Sequence, residues 1–414
     1  MKEEIRSHID DAAQLERLYR GNKSAFKRDF SSLYPEVKGH PLAGFWSERL
    51  NYQSDEISWG SKGELTLVII ASLVAGFIAK LPAIFGIDEN YFYPRNIGFI
   101  VFPLLTAYFA WKNKLPAGKT AMAAGAILTS LLFINLLPRN DKSDTLILSC
   151  IHLGLFLWCV LGFTFSGGTR NPLKERLSFL KYNGDLVVMT TLILIAGGIM
   201  SGITIGLFSL IGFHIEQFYS KNVVVFGVAA APIIGTYLTQ TNPQLVGKVS
   251  PVIARLFSPL VAVMLVVYLV AIVRSGKDPY SNREFLLIFN ALLVGVMAII
   301  FFSVAETART TKSRAETYIL FALAILTIIV NGVALSAIVF RISQWGFTPN
   351  RAAVLGGNVL ILINLLLVTW QLFRVARKDA ELSVVGQIIS RYLPFYFVWT
   401  IIVTFLFPFV FGFK

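Results

Sequence analysis

Long apolar runs separated by short polar connections repeat along the chain after Glu64. Most runs are close to the roughly 20 residues that an α-helix needs to cross the hydrocarbon core of a bilayer. The pattern therefore predicts an all-α fold, a polytopic transmembrane helical bundle of about eleven spans. The predicted spans are residues 64–85, 96–111, 120–138, 144–165, 185–213, 222–240, 255–273, 284–305, 316–340, 351–373 and 392–411.

The first 60 residues differ from the rest because they are polar and charged. Apolar residues at helical spacing predict short helices at 12–19, at 23–34 with a stop at Pro35, and at 41–51. We expect these helices to pack on the membrane face, on one another or on a partner. The chain is thus divided into a small cytoplasmic N-terminal region, 1–60, and a transmembrane helical domain, 61–414.

Composition supports the membrane assignment and limits the partners. Of 414 residues, 55% are hydrophobic and 15% are charged, whereas a soluble chain averages about 25% charged residues. The net charge of +13 comes from Lys and Arg between the apolar runs, so they favour lipid headgroups over nucleic acid as partners. With the N-terminus inside, the inner connections hold sixteen Lys and Arg and the outer ones ten. That bias predicts a cytoplasmic N-terminus and an external, periplasmic C-terminus.

Two apolar runs carry small residues at every fourth position, which places them on one face of each helix. Such faces let helix backbones approach closely in lipid, so we expect the two runs to pack together. The alternative is that small residues are simply common in membrane helices. The six residues are Gly198, Gly202 and Gly206 in the first run, and Gly227, Ala231 and Gly235 in the second.

Uncharged amides lie deep in several predicted spans. They either bridge helices or line a polar cavity, and the sequence leaves both interpretations open. The candidates for a polar lining are Asn290, Asn331, Asn358 and Asn364.

The connection between the ninth and tenth spans is the most distinctive polar stretch. Arg341 and Arg351 bracket a turn that contains Trp345. The two guanidinium groups suit either a lipid phosphate or the free carbonyls at a helix end. An ordinary connection with interface anchors is the alternative.

This turn, together with the segment Phe179-Leu-Lys-Tyr-Asn-Gly-Asp185, resembles an uncharacterised family of bacterial polytopic membrane proteins that is catalogued as a domain of unknown function. The resemblance covers residues from Glu64 to the C-terminus. It implies an all-helical, multi-spanning fold in a bacterial inner membrane, and it supplies no activity and no catalytic residues.

The residues that enzymes need are missing from the pattern. No carboxylate lies in the middle of a predicted span, and no nucleophile lies beside a base. Cys150 and Cys159 are about 13 Å apart along one helix, too far to form a disulfide. No Cys or His cluster has the spacing of metal ligands. We therefore expect no cofactor and no metal, and the case for an enzyme is weak.

Two functions remain. The many spans, glycine-rich helices and buried amides favour a transporter or permease-like protein. The alternative is a non-catalytic sensor or assembly factor whose N-terminal helices recruit a cytoplasmic protein. The sequence sets neither a substrate nor an oligomeric state.

Overall fold

A computed structural model describes residues 2–51, 59–140, 142–167, 172–210, 214–244, 283–307, 314–378 and 380–414, with short pieces between 258 and 270. Throughout these residues the regular elements are helices. The chain divides into two compact units, Met1–Ser58 and Trp59–Lys414.

In the described part of the first unit, residues 2–51, there are four helices: α1 (Lys2–Ser7), α2 (Ala12–Gly21), α3 (Lys23–Val37) and α4 (Pro41–Asn51). Asp11 caps α2 by accepting from the backbone N–H groups of Ala13 and Gln14, both at 3.0 Å. The helices pack on one another around a core of their own, which includes Ile5, Leu15, Phe26, Phe30, Leu33 and Trp46.

Two features of this unit differ from the sequence prediction. The helix α1 is an additional element, and α3 continues through Pro35 to Val37. The predicted stop at Pro35 was wrong because this proline lies in the last turn, where its missing N–H removes one backbone bond near the helix end.

An ion-paired cluster covers one side of this core. Glu16 accepts from Nε of Arg20 at 2.9 Å and pairs with Nη2 of Arg49 at 3.1 Å. The Arg49 guanidinium also lies over the Trp46 ring, 4.8 Å from its centroid. The hydrogen bond from Arg20 lowers the pKa of the Glu16 carboxyl; partial desolvation opposes this effect, and the charges of Arg49 and Arg20 add to it.

The second unit is a multi-pass membrane protein domain. Eight of the described helices are long and apolar enough to cross a bilayer. They are α5 (Lys62–Phe85), α7 (Ala117–Leu136), α8 (Asp144–Ser166), α9 (Pro172–Leu210), α10 (Glu216–Thr241), α12 (Arg314–Trp345), α13 (Pro349–Ala376) and α14 (Leu382–Val410). The helices α10 and α14 each contain one π-helical turn.

Two further described helices are not among these eight. The helix α6 (Glu89–Lys112) begins with a polar turn, and α11 (Arg283–Thr307) contains the apolar stretch Leu292–Ala305. The predicted span 255–273 lies largely outside the described residues. The all-helical membrane fold is therefore confirmed, and the number eleven stays a prediction.

The long helix α9 organises the packing of the second unit through its first half. Tyr182 is buried and shares a 2.8 Å hydrogen bond with Thr236 in α10. Arg176 donates to the carbonyl of Ser390 in α14 at 3.2 Å, and Phe302 of α11 lies against Gly184. The second half of α9, beyond Thr190, presents mostly exposed apolar side chains.

Candidate functional site at the middle of four apolar helices

Helices α11 to α14 form one apolar cluster with polar side chains near the middle of each helix. The cluster includes Leu293, Val330, Leu365 and Ile389, which are fully buried. Between the ends of these helices, residues 290–304, 317–340, 352–373 and 392–410 contain no Asp, Glu, Lys or Arg. Any chemistry at this level therefore depends on uncharged hydrogen-bonding groups.

Three of the predicted asparagines meet here. Nδ2 of Asn358 in α13 donates to Oδ1 of Asn290 in α11 at 2.8 Å. Nδ2 of Asn331 in α12 donates to the backbone carbonyl of Asn358 at 3.1 Å. Asn331 and Asn358 are 0% and 3% exposed. These amides thus bridge three helices, which is the first of the two roles expected for them.

The fourth predicted asparagine has a different partner. Asn364, on α13, lies 3.1 Å from the hydroxyl of Tyr396 on α14 and is fully buried. Sequence analysis did not single out Tyr396, because a tyrosine in an apolar run reads as an ordinary packing residue. The spacing of Asn358 and Asn364, six residues apart, puts the two amides about 9 Å apart along α13.

Two of these amides keep an unpaired atom. Oδ1 of Asn331 and Oδ1 of Asn364 are buried and accept no hydrogen bond from any described residue. Exchanging N and O in Asn331 would set its oxygen against the carbonyl of Asn358. The same exchange in Asn364 would let Tyr396 donate and would leave the NH₂ group without an acceptor. An unsatisfied buried polar group costs about 1–3 kcal/mol.

Other side chains of α13 and α14 also keep a buried polar atom without a partner among the described residues: the hydroxyls of Thr369, Ser390 and Thr404, and Nε1 of Trp399. The Trp399 ring lies directly on Gly356, and its Nε1 is 3.8 Å from the position that a Cβ on Gly357 would take. This close approach requires glycine at position 356, since a side chain there would overlap the ring. Gly356 and Gly357 directly precede Asn358. The indole of Trp399 and the amide of Asn331 therefore contact adjoining residues of α13.

The glycine face predicted on α9 does not pack as expected. Gly198 and Gly202 are exposed, and no atom of a described residue lies within 4 Å of a Cβ placed on either of them. The surroundings of Gly206 are outside the described residues.

The small-residue face of α10 packs in part. Gly227 faces open space, Ala231 is fully buried, and a Cβ on Gly235 would lie 2.9 Å from Oγ1 of Thr190. The helices α9 and α10 therefore do pair, and the predicted Gly235 takes part, but on α9 the contact is made by Leu186 and Thr190, which precede Gly198. Among the described residues, the expected contact of Gly198 and Gly202 with the second stripe is absent.

The turn between α12 and α13 is clamped by an arginine. Nη1 of Arg351 donates to the carbonyls of Trp345 and Gly346, both at 2.7 Å. The guanidinium groups of Arg341 and Arg351 lie 5.6 and 5.8 Å from the centroid of the exposed Trp345 ring. Of the two roles expected for these arginines, Arg351 fulfils the bonding of carbonyls at a helix end.

Sequence analysis missed a buried ionic contact. Oε1 of Glu64 in α5 accepts from the Tyr108 hydroxyl at 2.6 Å and from Nζ of Lys112 at 2.8 Å, both in α6. The signal was available, since Tyr108 and Lys112 are four residues apart and share one helix face.

A buried cation was also assigned to the wrong environment. Arg95 was counted among the outer loop charges, yet it is 3% exposed and donates to three carbonyls at the C-terminal end of α7. The next residue, Asn96, exchanges amide hydrogen bonds with Asn135 at 2.8 and 3.0 Å, and this pair joins α6 to α7.

No group of three or more His, Cys, Asp or Glu residues suited to a metal ion occurs among the described residues. Comparison of the chain with protein-family models, with curated proteins and with solved structures finds no match, so the resemblance to a family of bacterial membrane proteins stays a prediction.

Proposed function

We propose that the protein is a permease of a bacterial inner membrane. In this proposal a small polar solute moves through the bundle formed by helices α11, α12, α13 and α14. The observation that carries this proposal is that the buried amides of Asn331 and Asn364 each keep one group without a partner among the described residues: the oxygen of Asn331 and, depending on the amide orientation, the oxygen or the NH₂ group of Asn364. In the hydrocarbon region no lipid group can bond to them. A solute that passes through the bundle can supply the missing partners.

The depth of the polar groups supports this proposal. Asn331 lies near the centre of α12, Asn364 near the centre of α13, and Tyr396 near the centre of α14. Many transporters bind their substrates near the middle of the bilayer, between helices that move relative to one another. A purely structural bridge would not need to leave two amide groups unpaired at a depth where each one lowers stability.

The proposed topology has three crossings besides the eight long apolar helices. We infer that α6, α11 and the segment 255–273 also span the bilayer, which gives eleven crossings, a cytoplasmic N-terminus and a periplasmic C-terminus. With 24 residues, α6 is about 36 Å long, enough to cross. Compartment reporters fused to both ends would test this inference, and two ends reporting the same side would exclude an odd number of spans.

Thiol labelling tests whether solvent reaches the amides. In a full-length protein with Cys150→Ser and Cys159→Ser, we expect Asn331→Cys in native membranes to react with a small hydrophilic thiol reagent. The matched control is Ala334→Cys, which is also fully buried and lies on the same helix. We expect the control to react at least tenfold more slowly.

Equal and negligible labelling at positions 331 and 334 would contradict the permease, because a path that opens must admit a small polar reagent. Fast labelling at both positions would contradict it as well, since it would indicate general loosening of the helix pair.

A second candidate function rests on the separate core of the N-terminal unit. A region of 58 residues that folds around its own apolar cluster can present a surface to a cytoplasmic protein. Phe45 is 56% exposed beside the buried Trp46, and it is the natural site for a photo-crosslinking residue. A discrete crosslinked species in cells, lost when Phe45 is left unmodified and the exposed Gly21 is labelled instead, would favour this function.

Anionic lipid is a further proposed partner, at the turn between α12 and α13. Both guanidinium groups lie near the exposed Trp345 ring; Arg351 is partly exposed there, in the arrangement that suits a headgroup phosphate, whereas Arg341 is buried. We expect phosphatidylglycerol to raise the melting temperature of the unmodified protein more than that of Arg341→Gln/Arg351→Gln. Equal shifts would leave the turn with its carbonyl clamp alone.

A further inference from the structure

We infer that α14 is a jointed helix: its middle segment, residues 394–401, moves against α8 and α9, and side chains of those two helices hold it in the arrangement described above. This inference goes beyond the proposed function, because a sensor can use the same movement as a permease. It rests on two prolines of α14, on its π-helical turn, and on the two side-chain donors that bond the carbonyls left free by these prolines.

The first joint is at Pro394. A proline has no N–H, so the carbonyl of Ser390, four residues earlier, loses its α-helical donor, and the proline ring also pushes that carbonyl aside. Nη1 of Arg176 in α9 donates to this carbonyl at 3.2 Å. The two helices are close here, since Cδ2 of Leu177 is 2.7 Å from the position that a Cβ on Gly386 would take. An arginine of α9 thus replaces the missing backbone donor.

The second joint lies nearer the other end of α14 and has the same design. Pro408 lacks the N–H that would bond the carbonyl of Thr404 in an α-helix. The backbone widens here into the π-helical turn Ile402–Leu406. Oγ of Ser149 in α8, which is fully buried, donates to the Thr404 carbonyl at 2.8 Å. The carbonyls of Ser390 and Thr404 are about 21 Å apart along the helix.

These two joints bend more readily than an ordinary helical turn. Sharp kinks in helices occur at prolines and at π-helical turns, and such turns are frequent at functional sites. In the bilayer a freed carbonyl needs a partner, and side chains of neighbouring helices supply it. One side-chain bond to another helix can break and form again as packed helices slide. The backbone bonds of a regular helix cannot do so without unwinding it.

Each joint also has a spare donor of its own. The hydroxyls of Ser390 and Thr404 are buried and have no partner among the described residues. In a helix, a serine or threonine hydroxyl can bond a carbonyl of the preceding turn, and this bond bends the helix. A bent α14 therefore has hydrogen bonds available that the described arrangement leaves unused.

The segment between the joints is attached to a third helix. The Trp399 ring lies on Gly356 of α13, and the Tyr396 hydroxyl is 3.1 Å from the amide of Asn364, also on α13. The middle of α14 is thus held by α13, whereas its two joints are held by α9 and α8. A shift of α13 relative to α8 and α9 has to be absorbed at the joints.

Equilibrium unfolding of the full chain in mixed micelles tests the role of the two donors. Arg176→Met and Ser149→Ala each leave one carbonyl without its donor, and we expect each to raise the unfolding equilibrium constant about tenfold. Pro394→Ala restores the N–H for Ser390. It should therefore suppress the effect of Arg176→Met and leave that of Ser149→Ala unchanged. Pro408→Ala should do the reverse, so each proline variant is the matched control for the other.

Distances between spin labels in proteoliposomes test the movement, in the chain with both cysteines replaced by serine. One pair joins Ile70→Cys in α5 to Val398→Cys in the middle of α14. The control pair joins Ile70→Cys to Ile151→Cys in α8, and all three positions are exposed. We expect a wider distance distribution for the first pair. With both proline substitutions present, it should narrow to the width of the control.

Three results would overturn the inference. Equal widths for the two label pairs in the unmodified helix would exclude the movement. A wide distribution that the proline substitutions leave unchanged would place the movement outside the two joints. Losses of stability from Arg176→Met and Ser149→Ala that are the same in every proline background would show that these side chains do not replace the missing N–H groups. Labelling at Asn331→Cys tests the permease separately.

Discussion

A pair of glycine substitutions tests how α9 and α10 pack. Gly235 lies where a Cβ would be 2.9 Å from Oγ1 of Thr190, 3.2 Å from Cδ1 of Leu186 and 3.5 Å from the Thr190 backbone nitrogen. Gly202 has nothing within 4 Å of the same position. We therefore expect Gly235→Leu to destabilise the protein and Gly202→Leu to be nearly neutral. The small-residue pattern alone predicts the opposite for Gly202.

The magnitude follows from the contacts. Thr190 is branched at Cβ and part of a helix, so its hydroxyl cannot swing away without moving the methyl group into the same gap. Overpacking of this kind costs about 1–3 kcal/mol. Both variants replace a helical glycine by leucine and gain the same backbone term, about 0.8 kcal/mol. That term cancels in the difference, so the two unfolding equilibrium constants should differ by about 5- to 150-fold.

Equilibrium unfolding of the full chain in mixed micelles, with increasing sodium dodecyl sulfate, measures the difference directly. Gly198→Leu is a second control, because Gly198 also faces open space. A lower midpoint for Gly202→Leu than for Gly235→Leu would refute the packing described above and restore the glycine stripe as the contact. Equal midpoints would mean that α10 can shift away from Thr190 without cost.

Three other predictions follow from the polar contacts. A double-mutant cycle with Asn96→Leu and Asn135→Leu should give a coupling energy of about 0.6 kcal/mol and no more than about 1.7 in micellar unfolding; zero coupling would exclude the reciprocal amide pair. Lys112→Met should lower the free energy of unfolding by up to about 3 kcal/mol. Adding Glu64→Gln should restore part of that loss, because a buried carboxylate without its cation destabilises the fold more than a neutral amide does. Additive losses of the two single variants would contradict this. Because its folded-state pKa is lowered, the Glu16 carboxyl contributes stability that is present above its unfolded pKa of about 4.3 and lost as pH falls through the folded value. Hydrogen exchange of residues 2–51 in the full chain should therefore lose protection in that acid range, and less so in Glu16→Gln; identical pH profiles would contradict this.

The membrane fold could be predicted from the sequence because it depends on run length and charge alone. The apolar runs gave the positions of the eight long helices, and the bounds of α4, Pro41–Asn51, were predicted residue for residue. The start of α9 was missed. The residues from Pro172 to Lys181 carry several charges and read as a connection, yet they form the first turns of a 39-residue helix.

The candidate site was predicted only in part, because an amide pattern identifies which residues are polar and not which atoms lack partners. The sequence indicated Asn331, Asn358 and Asn364 because they lie deep in the predicted spans. In the structure Asn358 and Asn364 lie on α13, and each of the three amides bonds a neighbouring helix. The sequence did not indicate that the indole N–H of Trp399 is buried without an acceptor among the described residues. That environment depends on the ring lying against Gly356, a contact between residues 43 positions apart in the chain.

The glycine stripe shows why lipid makes such contacts hard to predict. In water, an apolar face must be covered, so an amphipathic pattern also tells which face turns inward. In a bilayer an uncovered apolar face costs nothing, and a smooth small-residue face at Gly198 and Gly202 is equally stable against lipid. An unpaired polar atom has no such freedom, because the surrounding hydrocarbon offers it no partner. The buried amides of Asn331 and Asn364, each with one group unpaired among the described residues, therefore constrain the function of this chain more tightly than its more regular small-residue pattern does.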